Sequence, residues 1–239
     1  MLGRFLELSL TSPRILESWQ WYQRLGFSTA TDSGVWSHPY AAVTDGRIAL
    51  GLHETTLAEP RLAYVQPGLA RHVADLGVRG VEFERCTLGE HIFNEAIFVT
   101  PEGHCVRLLE ARTYSMPADP PLSLLGWFEE IALPVRDLEA ARRYWEDLGF
   151  VAVSEAREPW LHVSLTSDTL NIGLHVTRAL DGPTLVFSND DRAALATRLA
   201  AAGIIAERRL PGALDPMEHL LLRAPEGTPL WITPPPPDA

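Results

Sequence analysis

Two glutamates and two histidines recur at nearly equal intervals along this 239-residue chain, and both types can move protons, ligate metals or anchor a polar ligand. Glu7 lies in LELSL and Glu130 in FEEIAL, 123 residues apart, while His53 in IALGLHE and His175 in LNIGLHV are 122 apart. In a strand, Glu130, Ala132 and Pro134 share one face, and Ile131, Leu133 and Val135 share the other. The second face is core, so the first looks at solvent, a partner or a cavity. His53 has the parity of Ala49 and Gly51, and His175 that of Asn171 and Gly173. Glycine in mid-strand marks a close approach to the sheet, so both GLH segments are expected to face a groove. Glu130 and His175 are then the pair for acid–base chemistry, and Glu7 and His53 their counterparts in ligand contact.

The elements that hold these residues are also written twice. LELSLTSPRILESWQWYQRLGF ends at Phe27 and IALPVRDLEAARRYWEDLGF at Phe150; the segments ending at Arg85 and Arg208 match at the same offset of 123, and two PEG turns follow in the same order. In the second copy Leu138, Ala141, Tyr144, Trp145 and Leu148 have helical spacing, with Asp137 as N-cap and Gly149 as the stop. Each half-copy reads as strand, helix and short strands, the last including IIAERR and a hairpin pivoting on PEG into PLWIT. The fold class is α+β, with helices on one side of the sheets and the other side free to line a groove. The repeat divides the chain into a first domain (1–113), a proline-rich linker (114–125), a second domain (126–233) and an extended tail (234–239).

A net charge of −11, with the basic residues scattered, argues against nucleic acid and anionic membranes as partners. Cys86 and Cys105 form no CxxC pair and read as thiols in a reducing cytoplasm. No 18-residue apolar run and no basic-then-apolar leader is present, so a cytoplasmic location is expected.

Strand, helix ending in LGF, ALGLHE-like strand, second helix and PEG hairpin together resemble the vicinal oxygen chelate superfamily, the glyoxalase, bleomycin-resistance and extradiol-dioxygenase group. The resemblance implies two tandem domains of paired βαβββ modules, four in all, forming curved sheets around a groove with helices outside. It implies a monomer or homodimer. Metal enzymes of the group place one ligand early in a domain's first strand, a second early in the following module and a third beyond the PEG-type turn. These slots hold Glu7, Arg61 and Arg107 in the first copy and Glu130, Thr184 and Trp231 in the second. Arginine offers no lone pair, so neither domain assembles the triad; no metal site and no cofactor is expected, a divalent metal with unusual ligands being the alternative. Converging slots would instead make an ion cluster of Glu7, Arg61 and Arg107, and would set Glu130 against Trp231, where an apolar cleft raises a carboxyl pKa.

Trp36 and Tyr40, beside the expected groove, and Trp160, their counterpart, join Trp231 and His53 as ligand contacts. Trp19, Trp21 and Tyr22 fall on a helix and read as packing; His38, His91, His104 and His219 read as solvated. The function expected is binding of a small hydrophobic or aromatic molecule, as in bleomycin-resistance proteins. The alternative is a lyase, isomerase or dioxygenase using Glu130 and His175 or a noncanonical metal.

Overall fold

The structure is a computed structural model, and it describes residues 1–32, 36–55, 60–110, 114–115, 122–211 and 214–235. Half of the predicted linker (116–121) and most of the tail (236–239) therefore lie outside the described residues. The first half contains β1 (Arg4–Thr11), α1 (Ile15–Arg24), β2 (Ser28–Asp32), β3 (Tyr40–Thr44) and β4 (Ala49–His53), followed by β5 (Arg61–Val65), α2 (Leu69–Val78), β6 (Phe83–Thr87), β7 (Glu95–Val99) and β8 (Cys105–Leu109). After β9 (Tyr114–Ser115), a short strand within the predicted linker, the pattern restarts. It comprises β10 (Trp127–Val135), α3 (Leu138–Asp147), β11 (Val151–Ala156), β12 (His162–Thr166), β13 (Asn171–Val176), β14 (Thr184–Ser188), α4 (Arg192–Ala201), β15 (Leu220–Arg223) and β16 (Pro229–Thr233).

The strands form a nine-stranded sheet, β6-β7-β8-β5-β1-β4-β3-β2-β9, and a seven-stranded one, β11-β12-β13-β10-β14-β16-β15. In each, the first strand of a half is central: β1 lies between β4 and β5, and β10 between β13 and β14. IIAERR, expected as a strand, is irregular, so at its β15 edge the second sheet has no counterpart of β6. Only Glu207 N–H reaches the edge strand β15, at Leu221 O (2.8 Å), and Pro211 has no N–H with which to continue a ladder. Helix punctuation follows the sequence: Asp137 accepts from Ala140 N–H (3.0 Å), and Gly149 holds φ at 101°, which other residues adopt only with strain.

Helix-side residues of both sheets merge into one apolar core, including Trp21, Tyr22, Phe27, Leu133, Trp145 and Phe187. Phe27 meets Phe187 edge-on across the two halves at 6.4 Å. The PEG turns reach across reciprocally. Glu102 accepts from Arg136 N–H (3.0 Å) and Asp137 N–H (3.3 Å) at the start of α3, while Tyr22 O–H donates to Glu226 (2.7 Å).

Candidate functional site

Both glutamates follow the same defect in their strands. The β1–β5 register slips between Phe5 and Glu7, and the β10–β14 register between Phe128 and Glu130. Such a bulge inserts one residue and reverses the parity beyond it. Phe128 accordingly joins the helix-side core while Glu130, two residues on, faces the concave side with Ala132. In the first domain Leu6 packs on concave-side Ala63 and Trp36 while its neighbour Glu7 faces His53. The bulge delivers each carboxylate to the groove.

In the second domain Trp160 Nε1–H donates to His175 Nδ1 (2.8 Å), and His175 Nε2 bonds Glu130 Oε1 (2.8 Å). An indole can only donate, so Nδ1 carries the lone pair and Nε2 the proton. His175 is thus a neutral imidazole locked in one tautomer. Ser164 O–H donates to the second carboxylate oxygen (2.8 Å). His162 donates from Nδ1 to the Trp160 carbonyl (2.9 Å) and stacks on His175, with ring centres 4.8 Å apart and planes within 4°. Trp231 lies 5.4 Å from Trp160, edge-on to His175 at 6.1 Å, and donates to His219 Nδ1 (3.2 Å). Leu180, Leu214 and Leu210 close over the two indoles.

The expectation that an apolar cleft raises the Glu130 pKa is overturned. Burial does push the carboxyl up, but the hydrogen bonds from His175 and Ser164 prevail and hold it below its ordinary value. A lowered carboxyl pKa adds stability that is full above the unfolded value of 4.5 and is lost as pH falls through the folded value. His162 and His219, both held below 6.5 by burial, weaken the fold in the same direction from about pH 6.5 downward. In melting curves of wild type and Glu130→Gln, the gap in Tm is expected to narrow below pH 4.5 and stay constant from pH 5 to 8; a widening gap in acid would contradict the ionised assignment.

The first domain repeats the plan with different chemistry. Glu7 accepts from Ser9 (2.5 Å) and Tyr40 (2.5 Å), and pairs with His53 Nε2 at 2.9 Å. His38 Nε2 meets His53 Nδ1 at 2.9 Å. Trp36 stands edge-on to His53 at 4.8 Å with the Arg107 guanidinium 4.6 Å over its ring. Arg107 is paired with Glu95 (2.6 Å), and Arg61 sits opposite Ser9 and Cys105 with its Nε buried and unbonded. The expected Glu7–Arg61–Arg107 ion cluster is therefore replaced by a network of hydroxyls and imidazoles, because β4 and β3 on the other flank of β1 supply His53 and Tyr40 at hydrogen-bond distance.

Strand pairing also corrects the equivalences. Tyr40 is opposite His53 and His162 opposite His175, so Tyr40 corresponds to His162, and His38 to Trp160. His38, His104 and His219, expected in solvent, have ring partners in His53, the Pro134 carbonyl (2.9 Å) and Trp231; His91 is exposed. His162 and Ser164 were missed by sequence reasoning, although the alternation of HVSLT, polar at His162, Ser164 and Thr166, is a usable signal.

Gly51 and Gly173 mark a close approach, as expected, but what approaches is the glutamate itself: a Cβ at either would fall closer than 3.0 Å to the carboxyl atoms of Glu7 or Glu130. The donors also fail a three-ligand metal centre. Both oxygens of Glu130 and both ring nitrogens of His175 are committed, Thr184 O–H donates to Gly182 O (3.1 Å), and neither Trp231 nor Arg107 offers a lone pair. Among the described residues no three His, Cys, Asp or Glu side chains gather as a metal shell.

No family model matches this sequence, and no curated protein matches it significantly. Solved structures do. The anaerobic complex of homoprotocatechuate 2,3-dioxygenase from Brevibacterium fuscum with 3,4-dihydroxyphenylacetate aligns over 96% of this chain and 79% of its own, with a TM-score of 0.64 at 16% identity. A room-temperature structure of an extradiol ring-cleaving dioxygenase from B. fuscum aligns over 98% and 72%, with 0.63 at 14%. The 2,3-dioxygenase LapB from Pseudomonas sp. KL28 aligns over 99% of this chain and 94% of its own, with 0.64 at 14%. At these identities the likeness speaks for architecture, and it spans both halves. The chain has the vicinal oxygen chelate fold, in the tandem two-domain form of the extradiol dioxygenases.

Proposed function

We propose that the second domain binds a small aromatic compound carrying a hydroxyl and holds that hydroxyl through Glu130 as hydrogen-bond acceptor, without the three-ligand metal centre. The observation that carries this reading is a difference in access. The Glu130 side chain remains 10% exposed among the rings of Trp160, His162, His175 and Trp231, whereas its counterpart Glu7 is fully sealed. An ionised carboxylate in such surroundings suits a phenolic O–H, which would take the place of Ser164 while the ring displaces Leu180 or Leu214 from the indoles. The dihydroxyphenylacetate bound by a protein of the same fold supports this ligand class. His175, donating to Glu130 from a fixed tautomer, keeps the carboxylate ionised and so able to accept the phenolic hydrogen bond.

A second reading, ring-cleaving dioxygenase chemistry with a metal on unusual ligands, is favoured by the likeness over both halves. One set of measurements separates the two. Catechol and phenol are expected to bind by calorimetry, and Glu130→Gln to lose at least about tenfold in affinity, roughly 1.4 kcal/mol, while still melting cooperatively well above the assay temperature. Iron, manganese or zinc near one per chain after purification without chelator, with oxygen uptake on adding catechol, would replace the first reading by the second. Absence of binding to either compound would defeat both.

A further inference from the structure

Where the end of β10 meets the other half's PEG turn, the two halves enclose a cleft of about 740 Å³, a volume within the usual range for small-molecule sites. One wall is apolar, formed by Pro134, Val135, Val176 and Leu180. The rest carries Thr177 and two arginines, Arg136 and Arg178, on the polypeptide ends that leave β10 and β13. Neither guanidinium has an ion-pair partner among the described residues, in a protein with 31 acidic residues against 20 basic ones. Glu102 also lines the cleft, with its two oxygens engaged by the Arg136 and Asp137 amides, so the lining carries two guanidinium groups against one carboxylate. Thr177 Oγ1 accepts from Ala179 N–H (3.0 Å), which leaves its proton to donate into the cleft.

Pseudo-symmetry supplies an internal control. The matching cleft at the end of β1, lined among others by Thr11, Asp181, Arg223 and Glu226, is only about 290 Å³. Its arginine is spent: Arg223 pairs with Glu207 (2.7 Å) and donates to Gly227 O (3.2 Å). Its glutamate is held by Tyr22. Two interfaces of one construction thus differ in the feature that anion recognition needs, free planar donor forks beside an apolar wall.

We propose that the larger cleft is a binding site for a small organic carboxylate, its acid group held by Arg136, Arg178 and Thr177 and its apolar body against Pro134, Val176 and Leu180. The cleft shares Leu180 with the cover over the indoles, but the groups that would hold the acid, Arg136, Arg178 and Thr177, take no part in the reading given for Glu130. Phenylacetate and benzoate, titrated into the full chain by calorimetry, are expected to bind saturably and to weaken as salt rises. Phenylacetamide, of the same shape without the charge, is expected to bind at least tenfold more weakly. The double variant Arg136→Gln/Arg178→Gln, at two exposed positions whose loss leaves the fold intact, should lose at least tenfold in affinity, and Arg223→Gln should not. Inorganic phosphate binding as tightly as phenylacetate would overturn the organic part of the proposal. Unchanged phenylacetate binding in the double variant, or its loss in Glu130→Gln, would place the acid elsewhere and overturn the site.

Discussion

Replacing Glu7 with alanine is expected to lower stability by about 3–5 kcal/mol, the usual range for breaking a buried charged network from one side. The reason is what the carboxylate leaves behind. Ser9, Tyr40 and His53 all direct polar atoms at it, His53 and Glu7 are wholly buried, and no water replaces the lost acceptor without opening the concave face. For a chain of this size each kcal/mol moves Tm by roughly 2–4 °C, so the melt should fall by about 6–20 °C. Urea unfolding gives the same quantity independently. Glu7→Gln, which keeps one acceptor oxygen, should fall between alanine and wild type. A loss below about 1 kcal/mol for alanine would mean that the network contributes no more than an ordinary surface pair.

Gly173→Ala should be nearly as damaging, and for a reason that strand propensity would get backwards, since alanine costs less than glycine in a strand interior. The added methyl would enter the space of Glu130 Oε1 and His175 Nε2, the two atoms that share the proton. Either the pair separates or the strand yields, and overpacking of this kind costs about 1–3 kcal/mol before the lost hydrogen bond is counted. Catechol binding should go with it. In the first domain Gly51→Ala meets all three carboxyl atoms of Glu7, which has no solvent to turn toward, so its cost should exceed that of Gly173→Ala. The double variant Gly173→Ala/Glu130→Ala tests the mechanism: removing the carboxylate should make the methyl tolerable, with a favourable coupling between the two changes. Additive losses would show that the glycine is needed for its backbone and not for the space above it.

These two glycines also show what could and could not be read from the chain. Repetition exposed the duplication, and with it the elements, the helix stops and the pairing of Glu7 with Glu130 and His53 with His175, because patterns of burial and punctuation are local. The direction of the glutamates was right for an incomplete reason. Strand parity put Glu130 with Ala132, but the bulge that turns it away from the face of Phe128 leaves no residue signature in either copy. Partner choice was not legible either. Arg61 and Arg107 belong to the strands on one side of β1, whereas the groups that reached Glu7 come from β3 and β4 on the other, and lateral distance across a sheet is set by twist and side-chain length. IIAERR failed most plainly: the edge of β15 is there to receive it, yet one backbone bond, Glu207 N–H to Leu221 O, is made and the segment stays irregular.

The reciprocal embrace of the PEG turns and the core shared by both sheets change what the duplication means. Either copy alone would leave Phe27 or Phe187, and the apolar surface around it, facing water. Two separate copies would have to meet at a twofold interface, and their folding would then vary with concentration. Joined in one chain, they form that interface intramolecularly, and each copy is released from symmetry. One could seal its carboxylate behind Tyr40 while the other kept Glu130 within reach.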